Sequence, residues 1–228
     1  MRLDPAGLSV TFLLMANRPA LFERLHRLGW HSDMIEEWVR GLRLQPGQTI
    51  LDVGCGPGML TRRLAGMGMR ATGFDQSGAM LRRAKRGGVV QQDGLAFVQG
   101  DAHSLPFEDG AYDHAIAASL VNVAANPLGV VGEMRRATAV GGTVSFLVPS
   151  AGMTAAVADY VARHRLHGFS AAALRAWASR APKMTADEAT FLLGQAGLGD
   201  ITIRQLLEGM VVIATGTRVG RWPSPTLR

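Results

Sequence analysis

Residues 50–58 read ILDVGCGPG, an apolar run with one acid that stops abruptly in alternating glycines. Thr49 to Val53 has the length and the flanking turn residues of a short buried strand, and Pro46-Gly47 breaks the chain just before it. A glycine turn between a strand and a helix sets backbone N–H groups and a positive helix end beside a ligand. Phosphates, dinucleotides and adenosyl compounds all bind at such turns. The loop alone does not choose among them.

On either side of the turn, strand and helix signals alternate. Residues 17–44 carry Leu21, Leu25 and Leu28, then Ile35, Trp38 and Val39, at helical spacing. Met59 to Met67 returns to helical period, with Gly66 and Gly68 closing it. A second short strand, ATGF (71–74), leads to a helix over 77–86 with Ser77 as its N-cap. AFVQG (96–100) and YDHAIAA (112–118) read as the third and fourth strands. A helix over 127–138 then reaches the strand TVSFLVP (143–149) through Gly141-Gly142. This alternation predicts an α/β fold with a parallel sheet covered on both faces. From Ser150 to Pro182 the chain is helical and alanine-rich, with no strand signal. Another helix spans 185–197, opened by a Thr185/Glu188 capping box and closed by Gly197. Two strands around a tight turn near Glu208-Gly209 follow, so the sheet should end in a reversed strand. The 150–182 insertion is placed to cover the carboxyl edge of that sheet.

The bulk properties set limits. A chain of 228 residues, 47% hydrophobic and poor in aromatics, has an ample aliphatic core and fits one domain with an added subdomain. The lone cysteine, Cys55, forms no intrachain disulfide and reads as a small buried residue, which fits a reducing cytoplasm. The stretch VTFLLMA (10–16) is too short to span a bilayer and lacks a strongly basic lead, so neither a membrane span nor a signal peptide is expected. Net charge is +6, with a local excess of bases between Met59 and Asp93. Those bases fall on the outward faces of two surface helices, and no aromatics interleave with them to stack bases. Nucleic acid is therefore not the expected partner.

The acids narrow the choice of ligand. Gly54, Gly56 and Gly58 give G-x-G-x-G, without the third-glycine spacing of the dinucleotide fingerprint. Asp52, two residues before the first glycine, suits an incoming pyrophosphate poorly but is acceptable beside a cationic sulfonium with an α-amino group. Asp75 ends the second strand in GFD, where a carboxylate can accept both hydroxyls of an adenosine ribose. Asp101, in GDAHSLPF (100–107), ends the third strand where an adenine would lie.

Taken together, LDVGCGPG, GFDQSGAML, GDAHSLPFEDGAYD and GEMRRATAVGGTV resemble the class I S-adenosylmethionine-dependent methyltransferases, in particular the small-molecule group similar to the ubiquinone/menaquinone enzymes. The likeness is strong over roughly 45–149 and topological over 185–217. It implies a Rossmann-like, mostly parallel seven-stranded sheet of order 3-2-1-4-5-7-6 with its last strand antiparallel. It also implies an N-terminal helical cap (1–44), a cofactor-binding core (45–149), a helical lid (150–182) and a closing helix and hairpin (183–228). S-adenosyl-L-methionine would be the cofactor, a small molecule the acceptor, and the protein a cytoplasmic monomer or homodimer. Gly54 and Gly56 would bring backbone close to the methionine moiety, with Asp52 steering its ammonium. Asp75 would hold the ribose hydroxyls, Gln76 the adenine face, Asp101 the adenine amine and Ala102 N–H a ring nitrogen. The Ala117 carbonyl would receive the amino group.

Methyl transfer from a sulfonium is an in-line displacement, so alignment can supply most of the rate and a base is needed only if the acceptor must lose a proton. No metal is expected, since no cysteine or acid cluster accompanies the histidines. His164 and His167, three apart on a lid helix, and His26 and His31, beside the first helices, are the candidates for touching substrate. His114 reads as packed in its strand, and His103 as surface. Many relatives carry a histidine near Asn122; an asparagine there can orient an acceptor but cannot act as a base. A nucleic-acid or protein methyltransferase, or a protein that binds the cofactor without catalysis, remain the alternatives.

Overall fold

The computed structural model describes residues 7, 9–10, 17–86 and 94–220. The apolar stretch after Val10 and Asp93 of the charge cluster lie outside the described residues. In chain order the elements are α1 (Arg18–His26), α2 (Gly29–Gly41), β1 (Thr49–Val53), α3 (Met59–Gly66), β2 (Arg70–Asp75), α4 (Gly78–Arg86) and β3 (Leu95–Gln99). Then come β4 (Tyr112–Ala118), a 3-10 turn (Val121–Val123), α5 (Pro127–Ala137), β5 (Thr138–Pro149), α6 (Met153–Arg163), α7 (Gly168–Arg180), α8 (Ala186–Gln195), β6 (Gly199–Leu206) and β7 (Val211–Thr217).

The seven strands form one sheet in the order β3-β2-β1-β4-β5-β7-β6. β1 lies parallel to both β2 and β4, while β7 runs antiparallel to β5 and to β6. Strand order reverses between β1 and β4, so a crevice opens at their carboxyl ends, the usual ligand position in such sheets. One face of the sheet is covered by α5 and α8, through Val130, Val131, Met134, Ala189 and Leu193. The other is covered by α2 and α3, through Ile35, Trp38, Leu60 and Leu64.

Local chemistry explains the boundaries. Asn126 caps α5 by accepting from Gly129 N at 3.0 Å, with Pro127 opening the first turn. The Thr185/Glu188 capping box forms on α8, and Ser77 Oγ accepts from Met80 N on α4. The helical stretch expected over 17–44 divides into two helices at Leu28, which is extended (ψ 134°), with Gly29 starting the second. α2 packs as a layer of the core: Trp38 is fully buried and its indole N–H donates to Ser145 Oγ at 2.9 Å. Trp38→Ala is expected to destabilise the fold by about 3–5 kcal/mol, read as a lowered urea midpoint.

The fifth strand also begins earlier than its sequence suggests. β5 starts at Thr138, and its register with β4 jumps from Tyr112↔Thr138 to His114↔Thr143. Gly141 and Gly142 sit in that bulge, and a Cβ on Gly142 would stand 2.3 Å from Asp113 O.

Candidate functional site

The glycine turn after β1 is folded inward on its own hydrogen bonds. Gly54 N and Cys55 N both donate to Phe74 O, at 2.7 and 3.0 Å. Gly56 N donates to Asp75 Oδ2 at 2.8 Å, and Gly58 N to Cys55 O at 3.0 Å. Pro57 has no N–H. The turn therefore spends its own donors on β2 and on itself, so residues 54–58 offer no nest of N–H groups to a phosphate. All three glycines have positive φ, 75°, 54° and 75°. A Cβ on Gly54 would press on Leu120, whereas one on Gly56 would meet nothing within 4 Å. Gly56 thus leaves room at the crevice for a ligand to approach the backbone.

Acids surround this turn. Asp52 is 1% exposed, and its Oδ2 accepts from Thr61 Oγ1 on α3 at 2.6 Å. Burial pushes its carboxyl up to about 7, helped by the nearby Asp75 and opposed by the Thr61 bond. Asp75 uses one oxygen on Gly56 N and the other on Ser77 N (2.8 Å), which leaves lone pairs on both for further donors. Burial pushes the Cys55 thiol up, which removes it as a nucleophile.

The carboxyl ends of β3 and β4 complete the crevice. Asp101 is largely exposed, and its Oδ1 accepts from His103 N at 2.9 Å and pairs with His103 Nδ1 at 2.8 Å. The bond from His103 N holds its carboxyl below the usual range, and Oδ2 stays available. Ala102 is partly buried beside it, and Gln76 is exposed with its carbonyl accepting from Gln99 Nε2 at 3.1 Å. In β4, Ser119 N donates to Leu147 O at 2.8 Å, and Ala118 registers with Leu147. In a parallel ladder that alternation turns the Ala117 carbonyl toward β5 and the Ala118 carbonyl toward the β1 side, past the last residue of β1.

Comparison with known proteins decides what this crevice belongs to. A family described as "Methyltransferase domain" matches residues 51–146. Residues 51–146 are a class I S-adenosylmethionine-dependent methyltransferase domain. Among curated relatives, a demethylmenaquinone methyltransferase of Beutenbergia cavernae is 34% identical over 61% of this chain and 56% of its own length. The O-methyltransferase cnsE of Penicillium expansum is 32% identical over 75% of this chain and 59% of its own. The chain thus spans less than two thirds of these relatives. A methyltransferase of Thermotoga maritima shares the fold at TM-score 0.64 and 17% identity, covering 93% of this chain and 99% of that one. A Haemonchus contortus phosphoethanolamine N-methyltransferase, solved with S-adenosyl-L-methionine, aligns at TM-score 0.67 and 14% identity over 92% of this chain and 60% of its own.

The fold gathers some candidates for the chemistry and disperses others. His164 and His167 do not share a helix: His164 is the C-cap of α6, His167 the N-cap of α7, and Arg165 between them has φ 49°. His164 Nε2 pairs with Glu208 Oε1 at 2.8 Å, and its ring stacks on Tyr160, so it ties α6 to the β6–β7 turn. His114 is held by Thr143 Oγ1 and Gln48 Oε1 as a packed residue. Asn122 donates to Pro182 O at 2.9 Å, while its Oδ1 is buried without a partner. His26 and His31 lie 4.5 Å apart, centroid to centroid, and burial lowers them to about 4 and about 3 respectively, with His26 adding to the effect on His31.

Sequence reasoning missed Thr61, His103 as the partner of Asp101, and the Ala118 carbonyl. The His103 spacing, two residues from Asp101, is a local Asx-type signal that could have found it. Nothing in the sequence announces Thr61 or the carbonyl, which follow from helix packing and strand register. Among the described residues, no group of three metal-ligating side chains forms, and no helix is long and apolar enough to cross a membrane.

Proposed function

We propose that the chain transfers the methyl group of S-adenosylmethionine to a small, partly apolar acceptor by in-line displacement. The observation that carries this reading is the inward-spent turn with Asp52, Asp75 and Asp101 at the ends of three adjacent strands. Such a crevice repels an anion and suits a cationic amino-acid end joined to a nucleoside. Gly54 and Gly56 seat the methionine moiety, and Asp75 accepts from the ribose hydroxyls. Gln76 lies along the adenine, Asp101 Oδ2 accepts from its amine, and Ala102 N–H meets a ring nitrogen. The Ala118 carbonyl at the end of β4 is the acceptor for the ammonium, in place of the Ala117 carbonyl expected from the sequence, which the register turns toward β5. The bound cofactor supplies a methyl already activated by its positive sulfur. The protein's own task is then to align the acceptor and exclude water. The name of the demethylmenaquinone methyltransferase relative supports a small-molecule acceptor, and the lone buried Cys55 fits a cytoplasmic setting.

The basic helices favour a nucleic-acid substrate less than their charge suggests, since several bases are engaged. Arg83 is forked onto Glu23, Arg63 pairs with Glu36 through one bond, and Arg62 donates to the Ala84 carbonyl. Labelled S-adenosylmethionine incubated with a panel of quinols, phenols and amines should give labelled small product and S-adenosylhomocysteine. Labelling of RNA, DNA or protein alone, lost with rising salt, would overturn the acceptor class. No transfer to any acceptor, with binding intact, would leave a cofactor-binding protein.

Asp52 gives this reading a pH signature. Its folded value, about 7, lies above the ordinary 3.8, so the folded protein holds a proton there between roughly pH 4 and 7. The Asp52 contribution to stability is present below pH 4 and lost as pH rises through 7. A bound ammonium favours the ionised form, so S-adenosylhomocysteine affinity should fall by up to about tenfold per pH unit below 7. Calorimetry from pH 5 to 8 should show that slope in the wild type and a flat profile in Asp52→Asn. A flat wild-type profile would remove Asp52 from the cofactor's electrostatics.

A further inference from the structure

Between the end of β3 at Gln99 and the start of β4 at Tyr112 the chain forms no helix. Asp101 and Ala102, at the head of this segment, are the residues assigned above to the adenine. A loop can read a base only if something rigid holds it. Here the head of the segment hangs between two fixed points. Gly100 N donates to Asp75 O at 3.3 Å, and Ser104 N donates to Asp101 O at 3.0 Å, which closes a tight turn over 101–104. Directly after that turn, α5 grips both backbone groups of Leu105. The Leu105 N–H donates to Glu133 Oε2 at 2.8 Å, and its carbonyl accepts from Arg136 Nη2 at 2.9 Å.

Glu133 and Arg136 stand three apart on α5 and act as one unit. Arg136 Nε and Nη2 fork onto the two Glu133 oxygens, each at 2.8 Å. Its Nη1 reaches Phe107 O at 2.7 Å and Asp109 Oδ1 at 2.9 Å. The backbone of Arg136 takes the far end of the segment, where Gly110 N donates to Arg136 O at 2.9 Å. Buried Leu105, and Phe107 edge-on to Phe74 and Tyr112, seat the segment on the core. Apolar contact is not directional, whereas forked charge-assisted hydrogen bonds fix orientation as well as distance. Both side chains are half-buried, so solvent screens the pair less than it would an exposed one. The pair thus supplies a rigidity that a helix in this segment would otherwise give.

We propose that Glu133 and Arg136 are positioning residues for base recognition: by holding Leu105 they set the 101–104 turn so that Asp101 Oδ2 and Ala102 N–H meet the edge of an adenine and reject other purines. The proposal rests on the methyltransferase reading and on the adenine contacts proposed above. Neither side chain touches the cofactor. Adenine offers an amine that donates and a ring nitrogen that accepts. Hypoxanthine reverses both, with a carbonyl in place of the amine and a hydrogen on the ring nitrogen. Against a rigid turn the carboxylate would then face a carbonyl and the N–H would face another N–H, which leaves polar groups unpaired. A loosely held turn adjusts to either base. The clamp therefore controls selectivity more than affinity for the nucleoside as a whole.

The test uses the full chain, titrated calorimetrically with S-adenosylhomocysteine and with S-inosylhomocysteine. The wild type should bind the adenosyl compound at least about tenfold more tightly, the effect of one hydrogen bond to a charged group. Arg136→Lys keeps the charge but not the fork, and Glu133→Gln keeps the shape but gives up an acceptor. Each should weaken S-adenosylhomocysteine about tenfold and leave S-inosylhomocysteine unchanged, so that the preference falls to within about threefold. Trp38→Phe, on the opposite face of the sheet, should lower the thermal midpoint and keep the full preference. An undiminished preference in Arg136→Lys and Glu133→Gln, an equal loss for both ligands, or a preference lost as much in Trp38→Phe would each overturn the proposal and leave the adenine contacts standing. Equal binding of the two ligands by the wild type would overturn the proposal together with the Asp101 and Ala102 contacts. Failure of the wild type to bind S-adenosylhomocysteine would overturn the methyltransferase reading beneath both.

Discussion

Asp75→Ala is expected to weaken S-adenosylhomocysteine binding by about 100-fold or more while the protein stays folded. The carboxylate has lone pairs left for two ribose hydroxyls after serving Gly56 N and Ser77 N. Hydrogen bonds to a charged group contribute about 1.5–3 kcal/mol each, so losing two costs about 3 kcal/mol or more, close to 100-fold in affinity. The substitution also frees Gly56 N and loosens the turn, which acts in the same direction. Asp75→Asn should lie between, since an amide oxygen can still accept from the backbone but carries no charge. Isothermal titration at pH 8, where Asp52 is ionised, gives the clean comparison. An affinity for Asp75→Ala within threefold of the wild type would mean that the ribose lies elsewhere.

Gly56→Val is expected to abolish binding altogether, a loss of at least about 1,000-fold by two additive routes. Gly56 has φ 54°, and a β-branched residue held there stores roughly 1–3 kcal/mol of strain. Its side chain would also enter the open space that the glycine leaves beside the crevice. Gly58 offers a contrast. A Cβ there would stand 2.7 Å from the Phe97 ring, so a side chain at Gly58 damages packing before it touches ligand. Both variants should lose some stability to the positive φ, but Gly56→Val should lose its ligand with no cost beyond that strain, whereas Gly58→Val should lose further stability through the clash with Phe97. Thermal melts with and without S-adenosylhomocysteine separate the two: no ligand-induced shift for Gly56→Val, and the lower midpoint for Gly58→Val. A normal ligand shift in Gly56→Val would place the methionine moiety away from this turn.

Much of this was legible in the sequence, and the reasons are local. The strand over 49–53, the turn at Glu208-Gly209 and the α8 capping box are written in short-range chemistry and appear as expected. What the sequence hid depends on tertiary geometry. The break at Leu28 has no glycine or proline before it to announce it, and the spacing of the leucines spans the break unperturbed. The β5 bulge hid behind Gly141-Gly142, which read as a turn ahead of a strand although they lie within one. His164 and His167 looked like one face of a helix, but the left-handed Arg165 separates them. GEMRRATAVGGTV shows Glu133 and Arg136 only as helix residues, because the backbone atoms they hold reach them only on folding. In the cofactor crevice the acids were visible from their strand-end positions, while the inward hydrogen bonds that disqualify a phosphate were not.

Those inward bonds carry the central claim, that this glycine turn seats a cationic amino-acid nucleoside and not a pyrophosphate. Calorimetric titration of the full chain with S-adenosylmethionine and, separately, with NAD+ at pH 8 tests it most directly. The account predicts saturable one-to-one binding of S-adenosylmethionine and no detectable heat with NAD+. Saturable binding of NAD+, or no binding of S-adenosylmethionine by folded protein, would contradict it.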